Sequence, residues 1–118
     1  MNVLGTEYKI NPKSGSNNDP KLADANGYVD YTTKQIVIDT DVFTHTDKTV
    51  ERLDIYGEDL VMHELVHAYI YESGLDCSFN QEIIVEWIAK MIDRLYESKK
   101  EVKKLGLYKK YKKDKRQS

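Results

Sequence analysis

His63-Glu64-Leu65-Val66-His67 puts three reactive side chains into five residues. The stretch lies where Leu60, Val61, Leu65, Ala68 and Tyr71 recur at helical spacings. On a helix, residues four apart stand one above the other. The imidazoles of His63 and His67 can then grip one tetrahedral zinc ion, at Zn–N of about 2.0–2.1 Å. Glu64 follows the first imidazole directly and falls to the side of the metal. There it can act as general base toward a water that the metal acidifies. The pentapeptide therefore reads as two ligands and a base. A catalytic zinc takes three protein ligands plus a water, so one ligand must come from elsewhere.

That ligand is expected to be a carboxylate. The remaining histidine of the three, His45, precedes the helix, and no histidine follows His67. The acids after the motif include Glu72, Asp76, Glu82, Glu86, Asp93 and Glu97. Glu72 sits on the motif helix but off the His63–His67 face. Asp76 falls in the following loop. Glu82 and Glu86 are four apart and share one face of a second helix, where they interrupt an otherwise apolar run. The plainer reading makes Glu82 a first-turn acid that complements the helix dipole and Glu86 a solvated residue.

These residues need elements to position them. Val3 to Ile10 has weak strand character, and Asn11 to Asn26, rich in Asn, Ser, Gly and Asp with Pro12 and Pro20, reads as a loop. Tyr28–Tyr31 and Gln35–Asp39 are β-branched and aromatic, and predict two short strands joined by a turn near Thr32–Lys34. A helix is expected over roughly 47–73, capped by Thr46 or Asp47, with Gly57 able to split it and Gly74 able to end it. After a short loop, Ser78-x-x-Gln81 fits a capping box, with Asn80 as the alternative cap. The second helix, to about Lys99, shows a broad apolar face from Ile84, Val85, Trp87, Ile88, Met91, Ile92 and Leu95. The order of elements predicts an α+β fold, with helices on one face of a short antiparallel sheet.

Composition limits the choices. A chain of 118 residues, 40% hydrophobic and 32% charged, suits one globular domain. No apolar run approaches the ~20 residues needed to span a bilayer, so no membrane partner is expected. Cys77 is the single cysteine. It excludes an internal disulfide, and with no signal-like N-terminus it predicts a reducing, cytoplasmic setting. As a fourth ligand Cys77 would close the zinc site, so it reads as a partly buried thiol. Charge is uneven: residues 99–118 carry ten Lys/Arg against Glu101 and Asp114, a balance of +8, which leaves −10 on residues 1–98 within the net −2. The basic tail could meet nucleic acid or an acidic partner, although a solvated, partly helical end is the commoner outcome.

Gln81-Glu82-Ile83-Ile84-Val85-Glu86 resembles the Asn-Glu-x-x-x-Asp element of gluzincin metallopeptidases. Residues 63–75 and Glu86-Trp87-Ile88-Ala89 are similar to ImmA/IrrE-type metalloproteases of phages and mobile elements, as is the hairpin from Gly27 to Ile38. Gln81 and Glu86 depart conservatively from the gluzincin pattern. The resemblance, which covers about residues 27–95, implies Glu82 as the third zinc ligand. Glu86 would then orient His63, or exchange roles with Glu82. It also implies a zincin-like domain over residues 1–98, a basic tail over 99–118, and an edge strand at Gln35–Asp39 that pairs with substrate. The expected activity is zinc-dependent hydrolysis of a peptide or protein substrate, such as a phage or mobile-element repressor, with Glu64 as catalytic base. Tyr28, Tyr31, Tyr108 and His45 are candidate donors to the oxyanion, or packing residues. The competing expectation is a non-catalytic, zinc-containing module that binds protein or nucleic acid.

Overall fold

The hairpin expected before the motif helix forms, and its turn explains its register. Strand β4 (Gly27–Asp30) runs antiparallel to β5 (Gln35–Asp39), with Tyr28 opposite Val37 and Asp30 opposite Gln35. The Asp30 carboxylate accepts hydrogen bonds from the backbone N–H groups of Thr32 and Thr33 at 3.0 and 3.1 Å. A short polar side chain thus satisfies the turn backbone, and Lys34 completes the reversal at φ 58°.

The computed structural model describes residues 1–14, 19–23, 25–41 and 50–111, without the side chains of residues 23 and 50–56. His45, Thr46 and Asp47 lie outside the described residues. Strands β1 (Asn2–Val3) and β2 (Thr6–Glu7) make a small antiparallel pair. Strand β3 (Lys9–Lys13) lies parallel to β5, with Ile10 opposite Ile36 and Pro12 opposite Ile38. The larger sheet has the order β3-β5-β4. It is therefore mixed rather than antiparallel, and β5 is its centre. The loop expected from Asn11 begins three residues late: Asn11-Pro12-Lys13 is strand, because an edge position tolerates proline.

Helix α1 (Val50–Glu72) is one unbroken helix that passes through Gly57, which is buried. Packing there outweighs the weak helix propensity of glycine. The chain leaves the helical conformation at Gly74, φ 75°, a left-handed value that glycine adopts freely. Helix α2 (Glu82–Lys104) is longer than expected and continues without a break past Lys99.

These elements stack as sheet, α1, α2, in an α+β fold. One side of α1 gives Ala68, Leu60, Val61 and Leu65 to a core with Val3, Tyr8, Ile36 and Ile38. Its other side gives Val66 and Ile70 to a second cluster with Val85, Ile88 and Ala89 of α2. The second helix thus rests on the first and not on the sheet. The C-terminal end of α1 is tied to the strands by Glu72. Its carboxylate accepts from Thr6 Oγ1 at 2.9 Å, Tyr8 OH at 2.7 Å and Lys34 Nζ at 3.0 Å. Among the described residues, no helix is long and apolar enough to cross a membrane.

Two positions test this packing. A Cβ on Gly27 would lie 2.9 Å from the Val37 carbonyl oxygen and 3.4 Å from Leu60 Cδ1, so β4 can seat here only as glycine. Gly27→Ala is expected to lower unfolding free energy by about 1–3 kcal/mol, measured by urea denaturation. The Tyr8 hydroxyl, then Lys34 and Thr6, hold Glu72 below the usual glutamate range. A depressed folded pKa adds stability above the unfolded value, which is lost as pH falls through the folded one. The gap in urea midpoint between the wild type and Glu72→Gln should therefore be full at neutral pH. It should shrink below about pH 4.3 and close at still lower pH. A gap that stays constant down to acid pH would show that the Glu72 charge contributes nothing.

Candidate metal centre

Helical spacing places the His63 and His67 rings on one face of α1, with centroids 5.0 Å apart and planes at 67°. The facing groups arrive on the first turn of α2. A 3-10 turn (Cys77–Phe79) leads into it. The Asp76 carboxylate caps that turn, accepting from the Ser78 N–H at 2.8 Å. The expected capping box does not form, and Gln81 is an N-cap without a side-chain hydrogen bond. Val85, fully buried against Val66 and Ile70, sets the rotation of α2. Glu82 and Glu86, on the neighbouring face, then turn toward the imidazoles.

The Glu82 carboxylate bridges the two rings. One oxygen lies 2.7 Å from His63 Nε2 and the other 2.8 Å from His67 Nε2. The opposite ring nitrogens are also held. His63 Nδ1 is 2.8 Å from a Glu86 oxygen, and His67 Nδ1 is 2.6 Å from Asn80 Oδ1. The Asn80 amide is oriented by its own donors: Nδ2 gives hydrogen bonds to the His67 carbonyl at 3.3 Å and to Tyr31 OH at 3.1 Å. Asn80 Oδ1 must therefore accept, so His67 Nδ1 carries the proton. The Glu86 carboxylate imposes the same tautomer on His63. Both Nε2 lone pairs then face the Glu82 carboxylate. Acceptors facing acceptors at such distances need a cation between them, either a proton or a metal ion. His63, His67 and Glu82 each offer one ligand atom, all within 4.8 Å of one another, and among the described residues they are the one such group. Two imidazoles and a carboxylate, each imidazole oriented through its far nitrogen, fit the donor chemistry of zinc.

Burial shapes the electrostatics. Glu64 is 6% exposed and His67 7%. Burial pushes the Glu64 carboxyl up, against the lowering pull of His67 and His63. Burial also pushes His63 down, but its hydrogen bonds to Glu82 and Glu86 more than offset that, and its pKa ends above the ordinary imidazole value. Glu86 is held low by Lys90, 3.1 Å away, and by His63. The side chain of Glu82, by contrast, is 78% exposed. The site is thus walled on the α1 side and open on the other. There it borders a cleft of about 670 Å³ lined by Asn26, Gly27, Asp59, His63, Glu64 and Glu82, among others.

The other sequence candidates fall elsewhere. Glu72 ties the strands to α1, Asp76 caps the 3-10 turn, and Glu97 pairs with Lys100 at 3.1 Å. Cys77 is exposed rather than partly buried, because its turn lies at the surface. Tyr28 OH donates to Asp19, and Tyr108 is exposed. Tyr31, stacked on Tyr71 with centroids 4.2 Å apart, reaches the site through Asn80. The role of Asn80 had no signal in the sequence. It stands 13 residues beyond His67 and outside any helical spacing, and reads there as a helix cap. No protein-family model matches the chain, and neither a curated protein nor a solved structure matches it.

The geometry predicts a graded response to substitution, read by competition with a zinc chelator. His63→Ala, His67→Ala and Glu82→Gln are each expected to abolish stoichiometric binding. Asn80→Ala and Glu86→Gln should weaken it about 10–100-fold. Loss of metal from Glu86→Gln alone, with Glu82→Gln still loaded, would exchange the two roles. Because protons compete for the imidazoles, affinity should fall as pH drops. The fall should begin above the ordinary imidazole value of about 6.5, since His63 is raised.

Proposed function

We propose that the protein is a zinc-dependent peptidase of minimal gluzincin type, with His63, His67 and Glu82 as ligands and Glu64 as catalytic base. One observation carries this reading. Two imidazoles, each held through its Nδ1 with Nε2 directed at one carboxylate, converge beside a buried glutamate at an open cleft. Zinc bound there would supply an electrophile for the scissile carbonyl and would acidify a water. A purely structural metal has no use for Glu64. Its carboxylate lines the cleft, and its raised pKa suits a group that takes a proton from water and returns it to the leaving amine.

Substrate would lie along β4. The expected docking strand, β5, is the central strand and is paired on both sides. β4 is an edge, and its first residue, Gly27, lines the cleft with Asn26. Its backbone would pair with an extended peptide, and the cleft would select side chains. Tyr31 OH accepts from Asn80, which leaves its proton free to donate to a developing oxyanion. The resemblance to ImmA/IrrE-type enzymes adds a substrate class, a regulatory protein in a reducing cytoplasm.

Glu64→Gln should keep its zinc and lose about 10²–10⁴-fold in peptide hydrolysis, followed with a quenched-fluorescence peptide library and with candidate repressors. Full activity in that variant would remove the mechanism. Zinc-loaded wild type that binds a protein or nucleic acid but cleaves nothing would favour the non-catalytic module.

A further inference from the structure

The second helix carries a surface that the metal centre does not use. Ile84, Ile88, Met91, Ile92, Leu95 and Val102 fall on one side of α2, across the helix from Glu82 and Glu86 at 3.6 residues per turn. Ile88, Leu95 and Val102 are seven apart, the spacing of a coiled-coil seam. The proximal part of this stripe borders an apolar groove of about 460 Å³ between α1 and α2, lined by Met62, Leu65, Tyr69, Ile88 and Ile92 among others. The distal part projects beyond the body: Leu95 is 58% exposed, Val102 59% and Leu105 63%. An isolated helical end of this kind is marginal in water without a packed apolar face.

We propose that α2 is a dimerisation helix, which packs antiparallel on α2 of a second copy. Leu95 would meet its own counterpart at the two-fold axis, and Val102 would lie opposite Ile88 of the other copy. Each distal end would then reach the groove of the other chain. Charge favours this occupant and this direction. Residues 1–98 carry −10 and residues 99–118 carry +8. An antiparallel pair lays each basic end along the acidic body of the other copy, whereas a parallel pair sets basic end on basic end. The stripe lies away from the cleft, so a dimer formed this way leaves both metal centres open. The proposal does not depend on the peptidase reading.

Sedimentation equilibrium of the full chain is the test, over roughly 1 µM to 1 mM, the range of weak specific dimers. The expected species is a dimer of the 13.7 kDa chain. Leu95→Glu/Val102→Glu should remain monomeric at the same concentrations, with helicity by circular dichroism showing that it folds. Lys99→Gln/Lys103→Gln should dissociate several-fold more readily than wild type, because it loses attraction to the opposite acidic body. A wild type that stays monomeric throughout overturns the proposal, whatever protein or nucleic acid it otherwise binds. A folded Leu95→Glu/Val102→Glu variant that dimerises as well as wild type overturns it too. Tighter association on neutralising Lys99 and Lys103 would indicate a parallel pair and overturn the arrangement.

Discussion

The crossing of α1 and α2, locked by Val85, is the constraint on which the site depends. Val85 is fully buried between Val66 and Ile70, on the same helical turn as Glu82 and Glu86. Rotating α2 by the step of one residue, about 100°, would expose Val85 and swing both acids away from the imidazoles. Apolar packing of one side chain thus places two charged ones. The histidines are held from behind in the same way, since the opposite side of α1 is packed on the sheet through Leu60, Val61, Leu65 and Ala68. A helix clamped on both sides has little freedom to turn its reactive face.

That clamp makes the electrostatics of the centre affordable. His67 and Glu64 are buried polar groups, which are costly unless partnered. His67 is partnered at both nitrogens, by Asn80 and Glu82. The tautomers follow from those partners, and they leave an electron-rich hollow that calls for a cation. Lys90 and His63 both stabilise the ionised Glu86, so the support behind His63 stays a hydrogen-bond acceptor. Tyr31 and Asn80 join the hairpin to this network. The turn after β4 is therefore part of the positioning machinery and not only a connection.

Much of this could be read from the residues. The hairpin declared itself through β-branched residues flanking a polar turn, and Asp30 supplies the turn bonds that such a composition predicts. The motif helix, its end at Gly74 and the face shared by Glu82 and Glu86 follow from local spacing. What failed to be read involves partners distant in sequence. Pro12 marked a loop, yet it lies in β3, because only the β3-β5 pairing makes that position an edge. Gly57, able to split the helix, does not, because that residue is buried in the packed helix. Asn80 fitted a cap but serves His67. The broad apolar face of α2 was legible, but its period does not say that only the first turns meet α1.

The sequence by itself determined the chemistry available: which imidazoles and carboxylates are present, their four-residue spacings, the α+β class and the separation of an acidic from a basic stretch. Those properties are local or additive, fixed by residue type and helical period. Tertiary structure alone decided which carboxylate bridges the two Nε2 atoms, which tautomer each histidine adopts, and that β4 rather than β5 borders the cleft. Each of these depends on contacts between segments that lie 13 to 23 residues apart or more. Pattern carries no distance information at that range. Burial of Val85 and the pairing of β3 with β5 supply it.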